Sequence, residues 1–359
     1  MRQPPRHIAV VRFSAMGDVA MLFPVLCAVL AQNDIKITLF TRPVFAPIFS
    51  SIKGLEVIGV DLKKTYKGPL GLWALAREIR ALKPDHFLDL HDVLRTKIIR
   101  GYLGLMRLST STFDKGRAEK NKRVKAFDPA APWLISTHER YAKGFRALGL
   151  KVDLENLSLH SDLGVHSEST IEHGPGLSQE VLTFIKSLKT QSGRLIGFAP
   201  FAAYPGKTYP LDLSEKLCQT LTEQGHQILL FGAPGYEAQQ LSALAEHQSN
   251  VHVLAGKWTF AHELEIIGAL DLMIAMDSGN GHLAANYGIP VITLWGATHP
   301  SLGFMPFGQE IERQLYADRG QYPELPTSVY GNKLPQGYSD LMRSISVAQI
   351  AAKVEEVLA

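Results

Sequence analysis

Short runs of apolar residues alternate with longer amphipathic segments, and this alternation predicts the secondary structure of the chain. In the first half it predicts strands at residues 7–12, 36–40, 56–60 and 86–90, and helices at 19–31, 70–82 and 93–105. Apolar strands that alternate with helices are typical of a parallel sheet with helices on both faces. The first half is therefore predicted to form an α/β domain.

A second series of the same kind begins near residue 195. It predicts strands at 195–199, 227–231, 251–254, 272–275 and 290–294, and helices at 211–224, 236–247 and 260–270. Residues 157–178 lose the periodicity and are rich in Ser, His, Gly and Pro, which is typical of a linker. We therefore expect two parallel-sheet domains, at residues 1–165 and 178–345.

The C-terminal part of the chain has a different pattern. Residues 300–338 are rich in Gly, Pro and Tyr and are predicted to be irregular. Residues 346–359 are predicted to form a last helix that packs back on the N-terminal domain.

The composition is that of a globular protein, because 46% of the 359 residues are hydrophobic and 20% are charged. Cys27 and Cys218 lie far apart in apolar segments, and neither has a second Cys or a His at metal-ligand spacing. They are typical of buried thiols in a reducing compartment. We find neither a signal-peptide core nor the roughly 20 apolar residues that span a bilayer, so we expect a cytoplasmic protein.

Charge is distributed unevenly. Residues 1–160 contain 26 Lys and Arg against 14 Asp and Glu, whereas residues 161–359 contain 11 against 20. The densest basic cluster consists of Lys115, Arg117, Lys120, Lys122, Arg123 and Lys125. Either these charges only keep the surface solvated, or the first half binds an anionic partner. Since few aromatic residues interleave with the cluster for base stacking, we favour an anionic lipid over nucleic acid.

The segment Ser14-Ala15-Met16-Gly17-Asp18 joins the first predicted strand to a helix. The carboxyl ends of parallel strands face the ligand crevice, so Asp18 is a candidate to act on a bound substrate. Alternatively, Asp18 is the N-cap of the helix and accepts its first free N–H groups. Gly17 is the only glycine of this turn, so a G-x-G-x-x-G fingerprint is absent, which argues against a dehydrogenase.

The loop at residues 199–210 follows the first predicted strand of the second half and contains Lys207. A lysine above the free N–H groups of a helix start suits a phosphate, although most surface lysines have no such role. The loop is not a P-loop, because Phe201 occupies the position of the first Walker glycine. Lys207 is therefore a candidate for phosphate binding.

Residues 275–285 run from a predicted strand into a helix of small residues. Gly279 and Gly281 permit close approach of the backbone, and the helix start offers N–H groups to a diphosphate. Asp277 either caps the turn or binds a hydroxyl group. His282 either lies near the ligand or is a hydrogen-bonded polar residue of a capped helix.

Two further observations concern a nucleotide diphosphate. Glu237 follows the turn at residues 232–235, where an acidic residue after a strand can hold ribose hydroxyl groups. A D-x-D triplet is absent from the sequence, so no residues are predicted to bind a metal ion with the diphosphate. Lysine and helix ends are then expected to neutralise a leaving diphosphate.

Together these segments resemble the heptosyltransferases of glycosyltransferase family 9, which act on the lipopolysaccharide of Gram-negative bacteria. The resemblance is carried by Arg12-Phe13-Ser14-Ala15-Met16-Gly17-Asp18 and by a block from residue 277 to residue 300 that begins Asp277-Ser278-Gly279-Asn280-Gly281-His282. Weaker similarities lie at Asp89-Leu90-His91-Asp92, His138-Glu139-Arg140-Tyr141 and Lys207-Thr208-Tyr209-Pro210.

The resemblance implies the GT-B fold, in which two Rossmann-like parallel-sheet domains face each other across a cleft. It implies an inverting, metal-independent reaction without a cofactor, in which heptose moves from ADP-heptose to an anionic lipid-linked glycan. The expected acceptor is a lipopolysaccharide core of the Kdo-lipid A type at the cytoplasmic surface of the inner membrane. The alternatives are transfer from another nucleotide sugar, epimerisation of a nucleotide sugar, and non-catalytic binding of a nucleotide or lipid.

By position, the resemblance makes Asp18 the general base that takes a proton from the acceptor hydroxyl. It makes Lys207 the cation that stabilises the diphosphate, which Ser278, Gly279 and the following helix start hold. It further places His282 close to the diphosphate, Asp277 at the donor sugar and Glu237 at the adenosine ribose. Basic residues expected at the acceptor, without a match in the family, are Arg95, Lys97, Arg100, Arg117 and Lys120.

Two departures from the family pattern concern the phosphate loop. Ala202 and Ala203 stand where the family often has Ser or Thr, so hydroxyl contacts to the diphosphate are missing or come from Tyr204 or Thr208. Tyr209 replaces the usual Trp. These differences bear on the affinity for the donor and on its identity.

Overall fold

Two parallel β-sheets organise the protein. The computed structural model describes residues 4–155, 157, 177–188 and 193–359. Of the predicted linker, therefore, all but residues 157, 177 and 178 lies outside the described residues.

The first sheet contains five parallel strands in the order β3-β2-β1-β4-β5. The strands are β1 (His7–Val11), β2 (Lys36–Thr41), β3 (Leu55–Gly59), β4 (His86–Asp89) and β5 (Ser109–Thr112). The helices of this part of the chain are α1 (Met16–Ala20), α2 (Phe23–Gln32), α3 (Gly68–Ala81), α4 (Leu94–Leu105), α5 (Arg117–Lys125) and α6 (Thr137–Arg146). This confirms the predicted parallel-sheet architecture of the first half.

Hydrophobic burial explains most of these elements. Residues 8–11 of β1 are fully buried, as expected for a central parallel strand that is covered on both faces. The predicted helix at 19–31 is instead two helices, because the chain turns at residues 21 and 22, and Pro24 lies in the first turn of α2. Strand β5 was not predicted, since Ser109–Thr112 is a polar, half-exposed segment that pairs with β4 at the sheet edge.

The second sheet contains six parallel strands in the order β11-β10-β9-β6-β7-β8. The strands are β6 (Leu195–Ala199), β7 (Gln227–Leu230), β8 (Val251–Val253), β9 (Leu272–Met276), β10 (Val291–Trp295) and β11 (Gln314–Tyr316). The helices are α7 (Gln179–Leu188), α8 (Leu211–Glu223), α9 (Tyr236–Ala245), α10 (Phe260–Ile267), α11 (Gly279–Asn286) and α12 (Val347–Leu358). This strand order is that of the doubly wound dinucleotide-binding fold.

Two expectations for the C-terminal part require correction. Strand β11 lies within the segment predicted to be irregular, because three residues of the chain pair with β10. The last helix, α12, was expected to pack on the N-terminal domain, but it packs against α8. Its apolar side chains Ile350 and Val354 are fully buried in the hydrophobic core of the second sheet.

The protein forms two compact units whose boundary does not follow the sequence order. The first unit comprises Met1–Lys115 and Ile135–Gly164, and the second comprises Gly116–Leu134 and Val165–Ala359. Helix α5, with most of the basic cluster, thus belongs to the second unit. The sequence pattern places the same segment in an N-terminal domain of residues 1–165.

The segment Gly116–Leu134 is attached to the second unit by aromatic contacts. The ring centroid of Phe127 lies 4.8 Å from that of His299, and the Trp133 ring lies 6.2 Å from it. The Leu134 N–H donates a hydrogen bond of 2.9 Å to the carbonyl oxygen of Ser301. The His299 ring also stacks on that of Tyr316, with 5.1 Å between the ring centroids.

In each sheet the strand order reverses at one pair of strands, and the loops at that point form the ligand crevice of such folds. In the first sheet this pair is β1 and β4, which are followed by Asp18 and His91. In the second sheet it is β6 and β9, which are followed by Lys207 and Asp277. The predicted site residues Asp18, Lys207 and Asp277 therefore lie at the position where folds of this kind bind ligands.

Candidate active site

Asp18 lies inside α1, as its third residue, and the N-cap of the helix is Ala15. The alternative interpretation of Asp18 as the N-cap is therefore wrong in position. Its Oδ2 atom accepts a hydrogen bond of 3.2 Å from the Ala15 N–H and lies 2.5 Å from the Arg12 guanidinium. The side chain is 32% exposed, so the carboxylate has these partners and still reaches solvent.

The Arg12 side chain connects the ends of β1 and β4. It is only 5% exposed, and its Nη1 atom donates a hydrogen bond of 2.7 Å to the carbonyl oxygen of Leu90. Its Cζ atom lies 5.8 Å from the centre of the Tyr141 ring, whose hydroxyl donates to the backbone oxygen of Asp18 at 3.2 Å. No role for Arg12 was predicted from the sequence.

His91 lies beside these groups. Its Nε2 atom is 3.3 Å from the Ser14 hydroxyl oxygen, and its ring meets that of Phe13 edge-on at 5.9 Å. Burial, followed by the nearby charges of Arg12 and Lys115, lowers the pKa of His91 to about 3. The imidazole is therefore neutral near pH 7.

Three of the basic residues expected at the acceptor lie on α4. Arg100 pairs with Asp89 and Asp92 at 3.2 Å each, and Lys97 lies 3.7 Å from the Asp92 carboxylate. Arg95 is exposed. Arg100 therefore stabilises the turn after β4, whereas Arg95 is available to a ligand at the surface.

The other two acceptor candidates lie on α5, in the second unit. Lys120 is only 3% exposed, and its Nζ atom lies 3.9 Å from the centre of the Phe304 ring. Arg117 is exposed. The structure thus does not bring the five basic candidates together in one unit.

In the second unit, Lys207 and Asp277 form an ion pair. The Lys207 Nζ atom donates to the Asp277 backbone oxygen at 2.9 Å and to its Oδ2 atom at 3.0 Å. The Thr298 hydroxyl donates to the same Oδ2 atom at 2.8 Å. The three side chains come from loops after β6, β9 and β10, so the sheet itself brings them together.

The start of α11 lies directly after Asp277. Ser278 is the N-cap, yet its side chain does not cap the helix, and among the described residues its Oγ atom is buried without a hydrogen-bond partner. Gly279 is the first helical residue, where N–H groups lack acceptors within the helix. His282 is buried one turn further along. The predicted cluster of Asp277, Ser278, Gly279 and His282 is therefore contiguous.

Glu237 is the second residue of α9. Its Oε2 atom accepts a hydrogen bond of 2.6 Å from the Ala233 N–H, so the carboxylate closes the turn that follows β7. The predicted ribose contact thus lies at a strand end, with one carboxylate oxygen used by the turn.

The departures in the phosphate loop have structural consequences. The Thr208 hydroxyl accepts a hydrogen bond from the Ala202 N–H at 3.3 Å and lies 3.4 Å from the Tyr204 carbonyl oxygen. The Tyr209 hydroxyl donates to the Ile345 carbonyl oxygen at 2.8 Å from a fully buried position. Tyr209 is therefore a core residue, and Thr208 stabilises the loop itself.

Gly331, which was not predicted as a site residue, contacts the stem of Lys207. Gly331 has a φ of +74°, and a Cβ atom there would lie 2.7 Å from the Lys207 Cδ atom. A glycine is thus required both by the backbone conformation and by the closeness of the lysine. The long separation of Gly331 from Lys207 in the sequence gives no signal of this contact.

Comparison with known proteins identifies the family. The model of glycosyltransferase family 9 (heptosyltransferase) matches residues 72–332. The chain belongs to glycosyltransferase family 9. The family-9 chain is 21% identical to the lipopolysaccharide core heptosyltransferase OpsX of Haemophilus influenzae over 309 residues, which cover 83% of this chain and 81% of that protein.

Solved structures have the same fold. A family-9 glycosyltransferase from Veillonella parvula matches with a TM-score of 0.73 and 20% identity, covering 100% of this chain and 98% of that one. The Escherichia coli heptosyltransferase WaaC, in a structure with ADP, matches with a TM-score of 0.61 and 19% identity, covering 98% and 99%. The family-9 chain therefore has the GT-B fold and is a glycosyltransferase related to lipopolysaccharide heptosyltransferases.

In the part of the chain that the structure describes, there is no group of three or more His, Cys, Asp and Glu residues that could hold a metal ion. Among the helices that the structure describes, none is long and apolar enough to cross a membrane.

Proposed function

We propose that this glycosyltransferase transfers heptose from ADP-heptose to a lipopolysaccharide core acceptor of the Kdo-lipid A type, with inversion and without a metal ion. The observation that carries the proposal is the Lys207–Asp277 pair beside the start of α11, at the ligand-binding position of the second sheet. We assign the donor to the second unit and the acceptor to the first.

On the donor side, the leaving diphosphate needs positive charge. Lys207 supplies an ammonium group, and the N-terminus of α11 adds N–H groups and the positive end of the helix dipole. The buried Ser278 hydroxyl, which has no partner among the described residues, is available to the same diphosphate. These groups stabilise charge that develops as the glycosidic bond breaks, which is where catalysis requires it.

The donor sugar and the ribose have separate candidates. The described hydrogen bonds to the Asp277 carboxylate go to Oδ2, so its Oδ1 atom is available to a sugar hydroxyl. Glu237 uses Oε2 for the Ala233 N–H, and its Oε1 atom is available to a ribose hydroxyl. The ADP in the WaaC structure supports an adenine nucleotide as the donor.

On the acceptor side, Asp18 is the general base. It takes the proton from the acceptor hydroxyl as that oxygen attacks the anomeric carbon from the face opposite the diphosphate, which inverts the configuration. Since Arg12 and Ala15 both contact Oδ2, the Oδ1 atom is the oxygen that takes the proton. Neutral His91 beside it adds no positive charge to the site.

The lipid-linked acceptor explains the basic surface. We propose that the exposed residue Arg95 on α4 contacts carboxylates and phosphates of the acceptor at the cytoplasmic face of the inner membrane. Residues 1–160, with 26 Lys and Arg against 14 Asp and Glu, carry the excess of positive charge that such contacts need.

The test is a transfer assay with ADP-heptose and Kdo-lipid A in the presence of EDTA. We expect transfer by the wild type, and a loss of at least about a hundredfold in kcat for Asp18→Asn, because general-base catalysis contributes typically that much. Asp34→Asn removes an exposed carboxylate elsewhere in the same unit and serves as the matched control.

Three outcomes would contradict parts of the proposal. Transfer undiminished in Asp18→Asn would remove the assigned base. Activity that is lost in EDTA and restored by a divalent cation would refute metal independence. Transfer from another nucleotide sugar in a panel of donors, or epimerisation when the donor is supplied alone, would contradict the assigned reaction.

A further inference from the structure

Arg12 is a buried charge that the proposed reaction does not use directly. Its guanidinium is 5% exposed at the carboxyl end of β1, where it lies 2.5 Å from Asp18. Burying a cation is unfavourable unless it is paired and hydrogen-bonded, so a residue of this kind is retained for its contacts.

Arg12 binds two partners through the two Nη atoms of its guanidinium group. Nη2 binds the Asp18 carboxylate while Nη1 donates to the Leu90 carbonyl oxygen at 2.7 Å. Leu90 directly follows β4, so the guanidinium is anchored to a second, rigid strand. Tyr141, on α6, covers the guanidinium with its ring and donates to the Asp18 backbone oxygen.

We propose that Arg12 is a positioning residue for Asp18. It holds Oδ2 of the carboxylate and directs Oδ1 to the acceptor hydroxyl. This inference rests on the proposed function, because it assigns to Arg12 a role in the reaction of Asp18.

Among the titratable groups described around Asp18, Arg12 is the cation in contact with the carboxylate. His91, after β4, has its pKa lowered to about 3 by burial and by the charges of Arg12 and Lys115, and is neutral. Burial raises the pKa of the Tyr141 phenol, which is neutral as well. The charge of Asp89, at the end of β4, contributes to raising the pKa of Arg12. The charge of Arg95, on α4, contributes to lowering the pKa of His91.

The chemistry of the side chain makes separable predictions for two variants. Lysine retains the positive charge, but its single ammonium group lacks the planar fork that reaches two acceptors in fixed directions. Methionine removes the charge and both hydrogen bonds while it keeps an unbranched apolar stem. Arg12→Lys therefore tests orientation, and Arg12→Met tests orientation and charge together.

The experiment measures kcat and KM for ADP-heptose transfer to Kdo-lipid A. For Arg12→Met we expect kcat to fall at least about tenfold, because the carboxylate loses the group that orients it. For Arg12→Lys we expect a smaller decrease in kcat, because one of the contacts is kept. KM for ADP-heptose stays within about twofold in both variants, because the donor is bound by the other unit.

Thermal unfolding and ADP binding show whether each variant is folded. A folded Arg12→Met variant with wild-type kcat, or with kcat and KM for ADP-heptose changed together, would overturn the inference, because a positioning role lowers kcat alone. If Arg12→Met does not fold, Arg12→Lys decides: wild-type kcat would contradict a positioning role.

The Asp18→Asn variant separates this inference from the proposed function. If Asp18→Asn transfers heptose at the wild-type rate, the proposed function has failed and the role of Arg12 falls with it. If Asp18→Asn is inactive and Arg12→Met keeps the wild-type kcat, only the inference about Arg12 is refuted.

Discussion

The Lys207 Nζ atom lies 3.0 Å from the Asp277 Oδ2 atom, and the two side chains are only 10% and 11% exposed. Lys207 is therefore held in place by a residue of the same site before any ligand arrives. A cation that is already oriented does not have to lose side-chain entropy when a diphosphate binds. The pair thus pre-organises the proposed donor site.

Breaking this pair from one side is expected to destabilise the second unit. Lys207→Met leaves the Asp277 carboxylate buried without its cation, and we expect a loss of about 3–5 kcal/mol in the free energy of unfolding. Urea unfolding followed by circular dichroism measures the change. The double variant Lys207→Met/Asp277→Asn removes both charges and is expected to regain part of the loss; an equal loss in both variants would contradict the argument.

Thr298 is expected to orient Asp277 toward the donor sugar. Thr298→Val keeps the shape but removes the hydroxyl that donates to Oδ2 at 2.8 Å. A hydrogen bond to a charged group contributes about 1.5–3 kcal/mol, so kcat/KM for the donor should fall about tenfold or more. Thr298→Ser retains the hydroxyl and should retain most of the activity. An equal loss in the Ser and Val variants would contradict this prediction, because Ser keeps the hydroxyl.

Gly331 is expected to be required by the stem of Lys207. Gly331→Ala places a Cβ atom 2.7 Å from the Lys207 Cδ atom, so the lysine must move. Gly337→Ala is the matched control, because its φ of +85° imposes a similar backbone strain while no atom lies within 4 Å of the new Cβ. We expect Gly331→Ala to weaken ADP binding at least about fivefold more than Gly337→Ala in calorimetric titrations. Equal affinities would refute the contact.

Acid should destabilise the protein through His91. Its pKa is about 3 in the folded state, below the value near 6.5 that an unfolded histidine has. Between these values the unfolded state binds the additional proton, so stability is lost as the pH falls, by up to about 1.4 kcal/mol per pH unit.

Urea unfolding of wild type and His91→Asn between pH 7.5 and pH 4.5 measures this effect. The variant should show a shallower dependence of stability on pH. The exposed residue His247, whose φ of +75° suits asparagine, provides the control variant His247→Asn. Parallel pH dependences of wild type and His91→Asn would disprove the assignment.

The sequence predicted the elements that depend on apolar periodicity and the residues at the carboxyl ends of the central strands. Asp18, Lys207 and Asp277 were predictable because charged residues after apolar strands occupy the ligand side of a parallel sheet. Strands β5 and β11 were not predicted, because backbone pairing with a neighbour, rather than an apolar pattern, determines them.

The partners of the site residues were less accessible to sequence analysis. Thr298 contacts Asp277 and Gly331 contacts the stem of Lys207 only in the folded protein, because the partners lie far apart in the sequence. Arg12 carries a charge at the end of an apolar strand, but no role was predicted for it from the sequence. Long-range contacts of this kind leave no periodicity to detect.

The aromatic contacts of His299 have a consequence for cutting the gene into halves. A fragment that starts after Gly164 encodes every strand of the second sheet but lacks Phe127 and Trp133, which cover His299 in the whole protein. Such a fragment lacks the ring contacts that Phe127 and Trp133 make with His299 and is expected to be less soluble than the whole protein. Grafting residues 116–134 back through a short tether should restore its solubility.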